Sequence, residues 1–347
     1  MNRMEAHNKS LYIYKNRKSY NVTVIAFLTI LLVFVVFLSI SFGSTKISLP
    51  AIFSALKERD TASKIYRIIN YVRIPRTLAA VLAGSALSIS GVILQSVLNN
   101  SLAGPSIIGV NSGAGLFAVL IAAFLPGSIY YTTIGAFLGA ILSVLLVYFI
   151  ARKTGASRMA IVLSGVAVSS FIGAMTDTVI TLKPDAVMDR TAFIIGGFSG
   201  VTLDQMSLAG FCIIVAFALS LILSYDMNIL ALGDESAKSL GLNVGRIRFL
   251  YLILAAVLAG SAISFAGLLG FIGLIVPHVS RLLVGYDNRI LLPVSALLGS
   301  TFTLFCDLLA RVIFAPYEIP VGIIMSFLGG PFFIWLLLRR KRGQLYD

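Results

Sequence analysis

Ten apolar stretches follow one another along this 347-residue chain, each bounded by charged residues, prolines or polar clusters. A helix needs about 20 mostly apolar residues to cross the hydrocarbon core of a bilayer. Only 12% of the residues are charged, roughly half the share in a soluble domain, so a cytosolic enzyme is excluded. We therefore predict an all-α polytopic membrane protein with about ten transmembrane helices. The predicted spans are 22–43, 77–98, 107–125, 130–151, 159–182, 206–224, 247–265, 267–284, 290–310 and 320–338.

The distribution of lysine and arginine predicts the orientation of these spans. With the N-terminus inside, 17 of the 27 positive residues fall in inner segments and 10 in outer segments, which places both termini in the cytoplasm. The net charge of +13 is spread between apolar runs, so it does not indicate a nucleic-acid partner. The predicted organisation is a cytoplasmic segment 1–21, one transmembrane domain 22–338 with an inner loop 225–246, and a cytoplasmic tail 339–347.

An internal repeat is visible in the sequence. The segment LAAVLAGSA occurs at Leu78–Ala86 and again at Leu254–Ala262, where the copies open spans two and seven. Because span seven comes five spans after span two, an odd number, the copies must cross the membrane in opposite directions. We therefore predict an inverted repeat of spans 2–5 and 7–10, an arrangement typical of transporters. The small residues of both copies would also allow close helix packing.

The sequence lacks the motifs of an enzyme. It contains no phosphate-binding G-x-x-x-x-G-K-[ST], no H-E-x-x-H and no G-x-S-x-G, so we predict no catalytic residue. Cys212 and Cys306 lie inside apolar runs, which predicts buried thiols and no metal site. Among carboxylates at bilayer depth, Asp307 has Arg311 four residues later as a helical partner. The chain therefore offers no clear central carboxylate for ion coupling, and its energy should come from a partner.

Several motifs, in order along residues 65–342, resemble the FecCD-type permeases. These are the membrane subunits of type II ABC importers for iron-siderophore complexes, haem and vitamin B12. The motifs are RIPRT with the following LAAVLAGSALSISGVILQ (73–95), NNSLAGPSIIGVNSGAG (99–115), SRMAIVLSGVAVSS (157–170), ALGDESAKSLGLNV (231–244), GFIGLIVPHVSRLLVGYDNR (270–289) and EIPVGIIMSFLGGPFFIWLLLRR (318–340).

The resemblance implies a permease subunit in a bacterial inner or plasma membrane. Two such subunits, either identical or homologous sister chains, would surround a pathway formed by spans five and ten. A cytosolic ABC ATPase dimer would bind ATP and Mg²⁺, which would make this chain itself free of cofactors. An extracytoplasmic binding lipoprotein or periplasmic protein would deliver an iron chelate.

The resemblance also assigns site residues. The cytoplasmic gate would comprise Asn100, Ser101, Leu102, Ala156 and Ser157. Within the first gate segment, Ser101 and Gly104 replace the proline and the acidic residue that are usual in the family. The loop that contacts the ATPase would present small residues, an apolar side chain and polar groups. Its predicted residues are Gly233, Asp234, Glu235, Ser236, Ala237, Leu240 and Gly241.

Three arginines lie on the side of the membrane that the positive-inside rule disfavours. Arg73 and Arg76 precede span two, and Arg311 ends span nine. The resemblance implies that they dock the binding protein through its acidic residues. The alternatives are contact with lipid phosphates or, for Arg311, a helical pair with Asp307.

Alternative functions remain open at this point. The same machinery could import haem or cobalamin instead of an iron-siderophore complex. An ion-coupled secondary transporter would also use an inverted repeat, but it would need no ATPase. A structural or sensory membrane protein would not need the GDESAKSLGL segment (233–242).

Overall fold

The computed structural model describes residues 3–45, 47–58, 63–125, 129–155, 157–183 and 193–340, and all regular secondary structure within them is helical. A π-helical turn, Ile69–Arg73, joins α3 to α4, and a 3₁₀ turn, Pro105–Ile108, precedes α5. The helices are α1 Arg3–Ser41, α2 Leu49–Glu58, α3 Lys64–Ile68, α4 Ile74–Leu98, α5 Val110–Phe124, α6 Ile129–Lys153, α7 Arg158–Leu182, α8 Leu203–Ile222, α9 Ser224–Ala231, α10 Asp234–Ser239, α11 Val244–Ala266, α12 Ile272–Val284, α13 Asn288–Val312 and α14 Val321–Arg340.

Ten apolar helices in the described residues correspond to the ten predicted spans. Seven are long and apolar enough to cross a membrane, and α5, α12 and α14 are shorter apolar helices. The prediction of an all-α polytopic fold is therefore confirmed.

The two copies of the sequence repeat form the centre of the bundle. In α4 and α11 about 78% of the apolar window is buried, against 17% in α1. The two helices pack together, and Ser90 donates a hydrogen bond to the carbonyl of Ala255 at 2.9 Å. They run in opposite directions, since α4 ends and α11 begins on the side of the bundle that carries α9.

Small residues allow the central helices to approach closely. A Cβ added at Gly84 would lie 2.4 Å from the carbonyl oxygen of Gly299, and one at Gly91 would lie 2.1 Å from that of Gly273. Side chains at these positions would therefore collide with the backbone of α13 and α12. Helix association in membranes depends on such backbone contacts, because lipid supplies no hydrophobic driving force.

The predicted start of span two is wrong, whereas the predicted boundary between spans seven and eight is confirmed. The second span begins at Lys64 instead of residue 77, because the π-helical turn lets α3 continue into α4 without a break. Arg73 and Arg76 consequently lie within a continuous helix. The predicted break between spans seven and eight is present, since α11 ends before Gly267, which adopts φ +70°.

Candidate functional site

Two short helices follow α8, within the predicted inner loop 225–246. Gly233, with φ +112°, turns the chain between α9 and α10, and Gly241, with φ +83°, ends α10. An added side chain at either glycine would meet no atom within 4 Å, so both glycines border open space. We call the end of the bundle that carries α9 and α10 the coupling end.

The predicted ATPase-contacting residues of α10 divide into two groups. Glu235, Ser236 and Leu240 are exposed, and the Leu240 side chain presents apolar surface to solvent. Ala237 is fully buried, so its small size lets α10 pack on the bundle. This corrects the prediction that Ala237 faces a partner.

Asp234 connects α10 to two other helices. Arg248, buried in the first turns of α11, donates to both carboxylate oxygens of Asp234 at 2.7 and 2.8 Å. Arg158, the first residue of α7, places its Nη2 3.0 Å from Asp234 Oδ1. The prediction treated Asp234 as a polar contact for a partner, whereas the structure uses its carboxylate within the chain.

Sequence reasoning missed Arg158 and Arg248 as site residues. It counted both only as positive charges of inner segments. The available signal was Arg248, since a charge inside an apolar helix requires a partner, and Asp234 is an acidic residue in the adjoining loop.

The ion pairs of Asp234 lower its pKa. Burial alone would raise the pKa of this carboxyl group, but the hydrogen bonds and charge of Arg248, followed by the charges of Arg158 and Lys238, outweigh burial. The pKa of Asp234 therefore lies below its ordinary value, and the carboxylate stays ionised at neutral pH.

The first predicted gate segment is a tight turn at the coupling end. Asn99 ends α4 in the left-handed conformation, with φ +47°. The side chain of Asn100 then accepts a hydrogen bond from the backbone N–H of Leu102 at 2.9 Å. A Cβ added at Gly104 would meet Leu274 Cδ2 at 3.5 Å, an ordinary contact. The fold therefore does not require glycine where the family usually has an acidic residue.

The second predicted gate segment adjoins the Asp234 network. Ser157 caps α7, and its side chain accepts a hydrogen bond from the backbone N–H of Ala160 at 3.1 Å. The next residue, Arg158, binds Asp234. Ala156 lies outside the described residues. The helix cap in the predicted gate segment and the ion pair with α10 are thus formed by adjacent residues.

A groove of about 590 Å³ lies beside the broken region between α11 and α12. Asn111 of α5 and Ser326 of α14 supply polar groups, and Ile194 and Phe327 supply apolar surface. The backbone here is irregular, and the N–H of Leu268 donates to the carbonyl of Phe193 at 2.8 Å. Irregular backbone at membrane depth is tolerated where it is buried or lines a cavity.

Asp307 is the centre of an ion-pair cluster at the opposite end of the bundle, which we call the arginine end. Its carboxylate is fully buried and lies 2.9 Å from Arg76 Nη2 and 3.1 Å from Arg311 Nε. The predicted helical pair of Arg311 with Asp307 is therefore confirmed. The sequence did not indicate Arg76 as the second partner, which comes from α4.

Arginines at this end also bind the end of α1 and the segment before α14 to α4 and the helical turn that precedes it. Arg73 donates to the carbonyls of Ile40, Ser41 and Thr45 at 2.6 to 2.7 Å and thereby caps the end of α1. Arg76 Nη1 lies 2.5 Å from Glu318 Oε2. The pKa of Glu318 lies below its ordinary value, because the hydrogen bonds of Arg76 and Ser44 outweigh the effect of burial.

The three arginines to which the resemblance assigns a docking role are buried in the folded chain. Arg73, Arg76 and Arg311 are 3%, 5% and 2% exposed, so their guanidinium groups are engaged within the chain. Glu318, with 33% of its side chain exposed, is the accessible charged member of the cluster. The docking role of the arginines stays a prediction.

Comparisons with known proteins agree with this architecture. The model of the FecCD transport family matches residues 31–339. The chain is 38% identical to the Fe(3+)-citrate import system permease protein YfmD of Bacillus subtilis, over 93% of this chain and 96% of that one. It is 35% identical to the hemin transport system permease protein HmuU of Yersinia pestis, over 92% and 96% of the respective chains.

A solved structure described as an inward-facing conformation of a metal-chelate type ABC transporter has a similar fold. It aligns with a TM-score of 0.82 at 28% identity, over 91% of this chain and 99% of that one. The break between α11 and α12 and the coupling end described above lie within residues 31–339, which the family model matches. The chain belongs to the FecCD transport family.

Proposed function

We propose that this chain is the permease subunit of an ABC importer that moves a metal chelate through the membrane. The observation that carries the proposal is the match to the FecCD family over residues 31–339. ATP and Mg²⁺ act on separate ATPase subunits at the coupling end, and a binding protein delivers the chelate at the arginine end. With this orientation both termini lie in the cytoplasm.

The proposed cargo is an iron chelate of the siderophore type. The relative named for Fe(3+)-citrate import is 38% identical, and another, the Iron(3+)-hydroxamate import system permease protein FhuB, is 37% identical. Both names refer to oxygen-ligated ferric iron. Haem and cobalamin are the second candidates, since a hemin permease is 35% identical.

An ion-coupled secondary transporter fits the structure poorly. Asp307 is the fully buried carboxylate among the described residues, and two arginines neutralise it. A carboxylate fixed in this way does not exchange protons or sodium ions with a pathway, so Asp307 does not serve as the coupling site of such a transporter.

The partner ATPase would act on α10. Glu235 and Ser236 offer polar contacts, and the exposed side chains of Leu232 and Leu240 offer apolar anchors. Because Gly241 borders open space, a partner surface could approach the backbone there. A second permease subunit would pack beside α7 and α14, whose exposed apolar residues include Phe171 and Phe327.

The Asp234 network would transmit the movement of α10 to the gate. Asp234 binds Arg158 directly, and Arg158 follows the gate residue Ser157. Arg158 Nη2 also donates to the carbonyl of Leu230 in α9 at 3.3 Å. A displacement of α10 would therefore pull on the first turn of α7, and it would also act on α11 through Arg248.

The binding protein would dock at the arginine end near Glu318, whose side chain is partly exposed. An acidic side chain of the binding protein could compete with Glu318 for Arg76, while Asp307 keeps the arginine in place. Such rim pairs contribute mainly to orientation and association rate, and they weaken with salt.

Reconstitution tests the proposed function. The permease should be assembled in proteoliposomes with the ATPase and binding protein encoded beside it. Uptake of a ferric chelate that requires ATP, the ATPase and the binding protein is expected. Uptake driven by a proton or sodium gradient without the ATPase would contradict the proposal.

A further inference from the structure

A cavity of about 560 Å³ lies at the coupling end, between the first predicted gate segment and α12. Gln95 and Asn100 form one wall, Arg281 projects from α12, and Tyr286 and Asn288 border the far side. Its volume falls within the range of small-molecule sites. None of its described lining residues is aspartate or glutamate.

Arg281 differs from the other arginines of the described residues that are buried or half-buried. Four of these arginines pair with carboxylates: Arg76, Arg158, Arg248 and Arg311. The fifth, Arg73, donates to three backbone carbonyls. For Arg281 the hydrogen-bond partner in the described residues is the side-chain oxygen of Gln95. A half-buried guanidinium group without a counter-charge retains donors and positive charge for a ligand.

Gln95 fixes the position of the Arg281 guanidinium group, because the Gln95 side chain makes a second hydrogen bond of its own. The Gln95 amide group accepts from Arg281 and donates to the carbonyl of Gly273 at 3.1 Å. Gln95 is itself buried, and it lies in the central helix α4. The amide therefore holds the guanidinium at the cavity wall, and part of its planar array of donors remains unused. Such an array matches a carboxylate or phosphate, which accept two parallel hydrogen bonds.

We propose that this cavity binds an oxyanion, and that its physiological ligand is a carboxylate group of the ferric chelate as the chelate leaves the pathway. The inference rests on the proposed function and narrows its substrate to negatively charged, carboxylate-bearing chelates. Arg281 supplies the charge. The side-chain amide of Asn100 and the hydroxyl of Tyr286 supply neutral donors for the remaining oxygens. The cavity adjoins the gate segment, so the anion is held where the chelate emerges.

Binding of radiolabelled ferric citrate to the permease–ATPase complex tests the site. The complex should be placed in nanodiscs of phosphatidylcholine, with ferrioxamine B, a cationic chelate, as the comparison ligand. Arg281→Gln should weaken citrate binding by roughly tenfold or more, because a charge-assisted pair is lost. Arg281→Lys should retain part of the affinity. Arg289→Gln, an exposed charge eight residues away that stacks on Tyr225, should bind like the parent.

The possible outcomes distinguish a chelate carboxylate from a lipid phosphate as the ligand. They also distinguish failure of the proposed site from failure of the proposed function. Citrate binding that is unchanged in Arg281→Gln, or equal loss of both chelates, would overturn the site. Displacement of citrate by phosphatidylglycerol in the nanodisc, dependent on Arg281, would identify a lipid phosphate as the ligand and overturn the chelate assignment. ATP-dependent uptake without citrate binding would overturn this inference alone. If the assembled transporter takes up no ferric chelate with ATP, the proposed function fails instead.

Discussion

Arg158 Nη2 lies 3.0 Å from Asp234 Oδ1, so the first residue of α7 is tied to the first residue of the short helix α10. Asp234 also accepts two hydrogen bonds from Arg248 of α11. One carboxylate thus connects the helix that we propose as the ATPase contact to two membrane helices, one of which is capped by the predicted gate residue Ser157.

Asp234→Asn should uncouple ATP hydrolysis from uptake. An amide cannot neutralise two guanidinium groups, so the movement of α10 would no longer reach α7. We expect uptake per ATP hydrolysed to fall by about tenfold, as for a loss of roughly 1.4 kcal/mol, while ATPase activity persists. The measurement is paired uptake and phosphate release in proteoliposomes.

Glu235→Gln is the matched comparison, because it changes the neighbouring exposed carboxylate. It should weaken ATPase association without changing the ratio of uptake to hydrolysis. If both variants behave alike, Asp234 is an ordinary surface contact and the linkage to the gate is wrong.

Asp307→Asn should strongly destabilise the protein. The substitution leaves Arg311 buried without its carboxylate partner and leaves Arg76 with Glu318 alone, and breaking a buried ion pair costs about 3–5 kcal/mol. Thermal unfolding in detergent should show a large drop in Tm. Asp204→Asn, at an exposed position, should leave Tm nearly unchanged, and an equal drop in both variants would contradict this account.

The ion pair of Glu318 predicts a pH-dependent stability. Its pKa is depressed in the folded protein, so its contribution is fully present above the ordinary pKa of about 4.3 and is lost as pH falls through the lower, folded value. The Tm difference between the parent and Glu318→Gln should be constant near neutral pH, shrink as pH falls below the ordinary pKa, and disappear once pH is below the lower pKa of the folded protein. A difference that persists in stronger acid would show that the carboxylate charge is irrelevant.

Gly84→Ala and Gly115→Ala form a matched pair that tests helix packing. The added methyl at Gly84 would lie 2.4 Å from the carbonyl oxygen of Gly299, whereas the one at Gly115 meets nothing within 4 Å. We expect the first to cost about 1–3 kcal/mol and the second to be neutral or to stabilise α5 by up to about 1 kcal/mol. Denaturation midpoints in detergent measure both, and equal effects would contradict the close contact of α4 with α13.

The proposed orientation predicts which residues an impermeant thiol reagent can modify from outside. In a chain without Cys212 and Cys306, a cysteine at Lys57 should be labelled in intact cells, whereas one at Ser236 should be labelled only after lysis. Both positions are exposed in the structure. The reverse pattern would place α10 outside and would overturn the assignment of the coupling end. Asp185 and Lys341, the other positions suited to this test, lie outside the described residues.

The sequence by itself determined the membrane class, the ten apolar helices and the inverted relation of α4 and α11. These features depend on hydrophobic length and on the number of crossings between two copies of LAAVLAGSA, which are local properties of the chain. The break at Gly267 between spans seven and eight was also predictable, because glycine placement is a local signal.

Only the tertiary structure decided which partner each buried charge has. Arg76 meets Asp307 and Glu318, which are more than 230 residues away along the chain, and Arg281 meets Gln95 across the bundle. Charge counting assigned the arginines to loops, because a positive residue near a span end resembles a topology signal in sequence. In the folded bundle, burial forces such a charge to find a counter-charge or hydrogen-bond acceptors, and the packing of distant helices determines which partner is within reach.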